Sequence, residues 1–495
     1  MTKNVRRRVR VALGMAGAAL LVWLYLSGVP ENPPGFFVDE SSIAYNAHTI
    51  ARDGTDEHGE RWPLFFRAFG EYKSPTYIYL LAALYKLTGP SIGAARLLSA
   101  LAGLLAAFVL GVLAARLTRE GRAGVAVALS ALLTPWLFEI SRLVFEVALM
   151  PLLLALFLLA LQRASEREEW SWLRAAGLAS TLALITYTYP AGRLLAPLFA
   201  AGLLLFTTRK RLRGILRAWL LYALALLPLF VFNERHAGAL GARFGDVSFI
   251  RPDSTPAQIA LTFVKNFLGN FSPLSWLVTG DPEPRHHLPL MGSLLAATAL
   301  LAVLGFVLVL RDRRGDAWWR FNIYGLAVSA VPASLTLDHF HTLRLVALPV
   351  FLLVFVAHAV AWLLAEGAHR NARRGVLVVL LLATLLQGAI FQWQFQRAAA
   401  SRWHNFDAFY IEVFDAATAL PNRPIYILDN HAAPGYMHAY WYATLRGMDT
   451  KQFKRLGKDE RPPPGALVIS TEMPCTNCRI ILQRGSFRAY IETKG

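Results

Sequence analysis

The chain has 495 residues, 55% of them hydrophobic and 17% charged, with a formal charge of +18. Its apolar residues gather in runs too long for soluble core helices, which excludes a soluble globular protein and implies a polytopic membrane protein. The positive balance does not point to nucleic acid. Most arginines fall at the N-terminus and in short loops at 116–122, 163–174, 209–217, 311–320 and 370–374, where they set topology and meet anionic lipid headgroups.

Eleven segments approach the roughly 20 apolar residues that a crossing needs: 11–29, 91–115, 123–138, 144–161, 173–188, 194–207, 218–232, 290–310, 321–337, 344–364 and 375–395. The first follows a basic start (Lys3, Arg6, Arg7, Arg8, Arg10) like that of a signal peptide. Its apolar run is too long for an h-region and no small-x-small cleavage site follows, so it reads as an uncleaved anchor. With eleven crossings the basic loops share one side. The positive-inside rule then puts the N-terminus in the cytoplasm and the C-terminus outside a cell (plasma or inner) membrane.

Three long pieces lie outside in this reading: 30–90, 233–289 and the tail after 397. Within the first, the aromatic stretches at 62–66 and 77–81 read as helices lying in the interface plane. The tail changes to short strand-like runs, Ile425–Leu428 and Ala466–Ile469, between helical stretches at 405–420 and 434–446. The expected division is a helical membrane domain over 1–396 and a small α/β extracytoplasmic domain over 397–495. Its Cys475 and Cys478, the only cysteines in the chain, form a lone CxxC read as a local disulfide rather than a zinc or redox site.

Five outer constellations could carry chemistry. Asp39 and Glu40 follow the first span, and Tyr72, Lys73, Ser74 and Pro75 stand at the far end of the same loop. Adjacent carboxylates beside a bilayer are either solvated loop charges or a site where a carboxylate acts. Glu139, Arg142 and Glu146 share a face if the chain is helical there, either as an Arg142–Glu146 ion pair or converging on Asp39. The turn Tyr187–Arg193, with Tyr189, is an aromatic belt with a snorkelling arginine or a substrate contact. Asp281, Arg285, His286 and His287 cluster before the eighth span. Two adjacent histidines with no spaced third ligand favour hydrogen bonding to phosphate or sugar over zinc. The turn from Asp338 to Arg344 either anchors the interface or holds an anionic lipid headgroup through His341 and Arg344.

The order and sidedness of these strings resemble the GT-C membrane glycosyltransferases, in the branch of the protein O-mannosyltransferases and the aminoarabinose transferases that modify lipid A. The resemblance covers about residues 8–395. It is carried by Asp39–Glu40, Tyr72–Pro75 leading to Gly89, Ala94–Gly103, Ser141–Arg142 with Phe145–Glu146, Tyr187–Tyr189, the stretch from Gly280 to His286 and Pro332–Arg344. It implies a polytopic helical GT-C fold, a polyprenyl-phosphate sugar donor entering from the bilayer, and a lipid, glycan or protein acceptor outside. By that resemblance Asp39 is the catalytic carboxylate with Glu40 as support, and inversion at the sugar is expected. Lys73, Arg142 and Arg344 are expected on the donor phosphate, with Tyr72, Glu146, Tyr189, Arg193, Asp281, His286, His287 and His341 lining the site. No metal is required, although a divalent ion near Asp39 is compatible with the chemistry. Lys73–Ser74–Pro75 departs from the Lys-Pro-Pro-like run of family members, and the tail matches none of their modules. The rival reading is a transporter or flippase of lipid-linked sugars, but the paired repeats and broken spans of that class are not evident.

Overall fold

The computed structural model describes residues 3–429, 435–457, 460–471 and 478–493. Helices stand where the apolar runs are, because a backbone in hydrocarbon must satisfy its own polar groups. Among the described residues five helices are long and apolar enough to cross a bilayer: Ile92–Thr118, Glu146–Ser165, Leu212–Arg235, Ala347–Leu364 and Arg370–Arg397. Ala347–Leu364 is buried on nearly all sides, which fits a helix that is hydrophobic all round at the centre of a bundle. Close approach comes from small residues: Gly111 and Gly124 face each other, and a Cβ on either would press on the other's carbonyl at 2.9 and 2.6 Å.

The expected third span divides. Helix Gly121–Leu133 ends before Pro135, a separate turn covers Pro135–Ile140, and a 3-10 turn, Glu146–Leu149, precedes the next helix. Glu139, Arg142 and Glu146 therefore do not share a helix face.

Within residues 30–90 the helix expected over 77–81 is present and the one expected over 62–66 is not. Val38–Asp53 is a helix, Phe66–Ala68 and Glu71–Lys73 form an antiparallel hairpin, and Pro75–Thr88 is a second helix. Residues 62–66 are not helical. The hairpin reverses at Phe69 and Gly70, both at positive φ (56° and 81°), the geometry that matches strand twist in two-residue turns.

Beyond the last long helix, Tyr410–Thr418 and Tyr436–Leu445 pack on a five-stranded sheet. Its order is Phe453–Leu456, Ile425–Leu428, Leu467–Ser470, Phe487–Glu492, Cys478–Arg484, with the first three strands parallel and the last two antiparallel. The proposed disulfide involves Cys475, which lies outside the described residues.

This sheet region does not stand apart from the helical body. Phe36 stacks on Trp441 with ring centroids 5.6 Å apart, Tyr45 lies 5.5 Å from Tyr440, and the buried core runs continuously between them. At Gly35 (φ 71°) a Cβ would fall 2.3 Å from the Phe406 carbonyl oxygen. Gly35→Ala is therefore expected to lower stability by more than ~1 kcal/mol, from the left-handed backbone and the backbone clash together. Thermal unfolding in detergent measures it; an unchanged midpoint would show that the two segments do not meet there.

Candidate active site

Adjacent residues on a helix point about 100° apart, and Asp39 and Glu40 are separated in just this way. Glu40 turns inward and is fully buried. Its two oxygens receive Arg96 Nη2 at 2.9 Å and Nε at 3.2 Å, Val144 N at 3.0 Å and Phe37 N at 2.9 Å. Arg96, in the first turns of Ile92–Thr118, is also fully buried and donates to the carbonyls of Pro30, Pro33 and Gly35. The expectation that Glu40 supports catalysis directly is corrected: its acceptor capacity is taken up in locking the loop to the helix. Nor is it available beside Asp39 as a second ligand for a divalent ion.

Asp39 turns the other way. Its carboxylate is about a third exposed and receives Lys73 Nζ at 2.5 Å. Burial opposes its ionisation, but the Lys73 charge and hydrogen bond, with Arg285 and Arg243 farther off, hold the carboxyl below its ordinary value of 3.8. Lys73 is itself buried, and its ammonium is raised above the ordinary lysine range because Asp39, Glu146 and Glu71 outweigh its desolvation. Glu146 reaches the same place and accepts Ser74 N at 2.6 Å. The hairpin thus delivers Lys73 between carboxylates from the Val38–Asp53 helix and from the start of a membrane helix.

Around this centre lie two further cations, Arg285 from the cluster expected before the eighth span and Arg243, which was not expected. Arg285 sits over the Phe37 ring at 4.4 Å, paired with Glu283, and its charge reaches Asp39. Arg243 lies 3.4 Å from Glu71. The sequence signal for Arg96 was a charge inside an apolar run, which is rare unless paired or functional; Arg285 was marked by its place beside the two histidines, and Arg243 had no mark.

The remaining predicted residues divide. Tyr189 is partly buried, and desolvation pushes its hydroxyl up to about 12 despite the charge of Arg344 nearby. Tyr72 packs edge-on to Phe232, centroids 5.2 Å apart. Arg193 lies over Phe65 and donates to Leu240 O, while its buried Nε and Nη2 have no partner among the described residues. Arg344 bonds Thr336 Oγ1 at 2.9 Å and pairs with Asp338 in its own turn. Arg142 is turned away from Asp39: buried over Phe138 at 4.4 Å, it donates to the carbonyls of Tyr25 and Ser27 and closes the end of Lys3–Leu26. That corrects its assignment to the phosphate. His287 is likewise internal, its Nδ1 2.7 Å from Glu139 Oε2.

A spaced ligand partner for one of the two adjacent histidines, His286, comes from another turn. One carboxylate oxygen of Asp281 and one ring nitrogen each of His286 and His341 lie within 4.8 Å of one another, so among the described residues these three could hold a metal ion. Burial, His286 and Arg344 push the His341 ring down to about 3, leaving it neutral. Asp281 Oδ2 also receives Thr342 N and Oγ1 at 2.7 and 2.6 Å, which fastens the two turns together.

The Glu40–Arg96 lock generates a direct test. Glu40→Gln leaves a buried guanidinium without its counter-charge and is expected to cost about 3–5 kcal/mol. Chemical unfolding in detergent measures it; a loss below about 1 kcal/mol would contradict the assignment of this pair as the anchor.

The comparisons agree with this architecture. Residues 72–233 match the family model described as dolichyl-phosphate-mannose-protein mannosyltransferase. A comparison with curated proteins gave no match. The crystal structure of ArnT from Cupriavidus metallidurans bound to undecaprenyl phosphate is similar over 97% of both chains, at 14% identity and a TM-score of 0.57, and its apo state over 98% of both at 0.56. The oligosaccharyltransferase AglB from Archaeoglobus fulgidus, in complex with an inhibitory peptide and a dolichol-phosphate, matches at 13% identity and a TM-score of 0.51, over 85% of this chain and 60% of that one. The chain is a multi-pass membrane protein that shares the overall fold of ArnT and AglB, and its residues 72–233 resemble the dolichyl-phosphate-mannose-protein mannosyltransferase family model.

Proposed function

We propose that the chain moves a sugar from a polyprenyl-phosphate-linked donor to a lipid, glycan or protein acceptor on the extracytoplasmic face of a cell membrane, with inversion at the sugar. In this reading the N-terminus is cytoplasmic, residues 1–396 form the membrane transferase domain and residues 397–495 an extracytoplasmic domain. The observation that carries it is the Lys73–Asp39 contact, a partly exposed carboxylate held ionised by a buried ammonium, with Glu146 beside them. The bound undecaprenyl phosphate of ArnT and dolichol-phosphate of AglB support the donor class. A transporter is disfavoured because Asp39 and Lys73 stand on the short helix Val38–Asp53 and the hairpin strand Glu71–Lys73, neither of them a helix long enough to cross a bilayer.

A phosphate is already a competent leaving group, so a base and cationic clamps suffice. The acceptor hydroxyl oxygen bonds to the sugar C1, its proton passes to an Asp39 oxygen, and the C1–O bond breaks with its electron pair leaving on the polyprenyl phosphate. Alone, Asp39 paired to Lys73 is a weak base. A donor phosphate that draws Lys73 away leaves the carboxylate more basic where and when the acceptor arrives. Arg285, Arg243 and Arg344 are the further cations available to the departing phosphate. In this reading Tyr189, Tyr72 and Arg193 serve the sugar and lipid, and Asp281 fastens its turn to that of His341 and Arg344 through Thr342. A divalent ion, if the reaction uses one, would add Lewis-acid polarisation of the phosphate.

Asp39→Asn is expected to abolish transfer in an assay with a polyprenyl-phosphate sugar while the protein still binds polyprenyl phosphate; full activity in that variant would sink the assignment. The pH dependence follows from the depressed carboxyl of the free enzyme. The carboxylate form is present above the depressed value and lost only as pH falls through it. The acid limb of kcat/KM due to Asp39 is therefore expected below about pH 4. A limb near about pH 6 that disappears in Asp39→Glu would contradict the ion pair.

A further inference from the structure

Two carboxyl-terminal residues reach the first turn of the helix that bears Asp39. Asp407 Oδ2 accepts the Val38 amide at 3.2 Å and lies 3.1 Å from His438 Nε2. On the other side of the ring, His438 Nδ1 lies 2.9 Å from Ser41 Oγ. Neutral His438 satisfies both contacts in one tautomer, accepting from the Ser41 hydroxyl and donating to Asp407. Val38 and Ser41 are one helical turn apart and flank Asp39, so the network grips the helix at two points of the same turn.

The chain Ser41–His438–Asp407 has the order of a nucleophile relay, but Ser41 has no exposed surface and His438 almost none, so no substrate carbon can reach the hydroxyl. What it can do is position. We infer that Asp407 and His438 are positioning residues for the proposed transfer: the segment beyond the last long helix sets the direction in which Asp39 points, and is part of the site rather than an appendage to it.

Four further observations support this. Asp407 is itself held at a left-handed φ of 51°, a conformation that Asp tolerates better than most side chains. Its neighbours on either side crowd Gly35, which permits no side chain there. The His438 ring is packed at 4.6 Å from Tyr410 and 6.3 Å from Tyr442, so its orientation is fixed by aromatic contacts and it cannot swing away. The charge of Asp407 also reaches Arg285, the cation stacked over Phe37 and facing Asp39. One carboxylate from the tail thus touches the helix that bears the base and steadies a cation beside it.

This inference rests on the proposed function, and the experiment separates the two. Full-length Ser41→Ala, Asp407→Ala, Asp407→Asn, His438→Ala and His438→Gln are assayed beside Asp39→Asn, with polyprenyl-phosphate sugar as donor and polyprenyl phosphate as binding probe. Both alanine variants at 407 and 438 are expected to lower kcat at least about tenfold with donor KM within about twofold, because the base is misdirected while the donor site remains. Asp407→Asn keeps an acceptor for the Val38 amide and is expected to recover most of the loss. Asp407→Ala with His438→Ala is expected to be no worse than the worse single variant, as for groups that act as a unit. Ser41→Ala, the smallest change, is expected to lower kcat about threefold without a change in unfolding temperature.

An inactive Asp39→Asn together with wild-type kcat in the alanine variants would overturn this inference and leave the proposed function standing. So would a loss of activity matched by equal loss of folded protein and of polyprenyl-phosphate binding, with no recovery in Asp407→Asn. A fully active Asp39→Asn would overturn the proposed function itself.

Discussion

The site depends on two opposite charges that see no water. Moving Glu40 and Arg96 out of solvent costs several kcal/mol for each ion, and their attraction offsets this only because the surrounding hydrogen bonds are nearly complete. Glu40 receives four donors, and Arg96 spends its remaining hydrogens on three carbonyls of the segment before the helix. The loop after the first helix thereby has one position against Ile92–Thr118. Everything that follows inherits that position: Asp39 turns to the open side, Val38 offers its amide to Asp407, and Lys73 finds a carboxylate waiting.

A second constraint is that the donors and acceptors of the site are mutually committed. Lys73 is shared among Asp39, Glu146 and Glu71, and Arg285 between Glu283 and the field of Asp39 and Asp407. In the proposed transfer such a balance is shifted by the donor's anionic phosphodiester, since each cation that turns to it releases a carboxylate. Pairing in the resting state keeps buried charges from standing alone; in the proposed mechanism, exchange of partners makes the pairing useful.

Much of this was legible in the residues. Long apolar runs give helices, although the one expected over 123–138 is split before Pro135, and of the acidic pair on the loop that carries Lys73 it is Asp39 that meets the lysine. The physics of single positions was less legible. Nothing local distinguishes Asp39 from Glu40; which of them is buried is decided by Arg96, 56 residues away. Arg142 reads as an outward cation until Pro135 ends the helix before it and the end of the first helix offers carbonyls to cap. Asp281, His286 and His341 belong to two turns more than 50 residues apart, so their meeting is a tertiary fact with no sequence spacing to announce it. Asp407 and His438 lie in the part that matched no family pattern, and their partners are more than 360 residues upstream.

The central claim is that Lys73 belongs to Asp39 at rest and to the donor phosphate when the donor is bound. A structure of the chain with polyprenyl phosphate in a lipid nanodisc tests it most directly. The account predicts Lys73 Nζ within hydrogen-bond distance of a phosphate oxygen, about 3 Å, with the Asp39 carboxylate released and open to the acceptor side. A bound phosphate that leaves the Lys73–Asp39 contact intact, or that sits away from both, would contradict it.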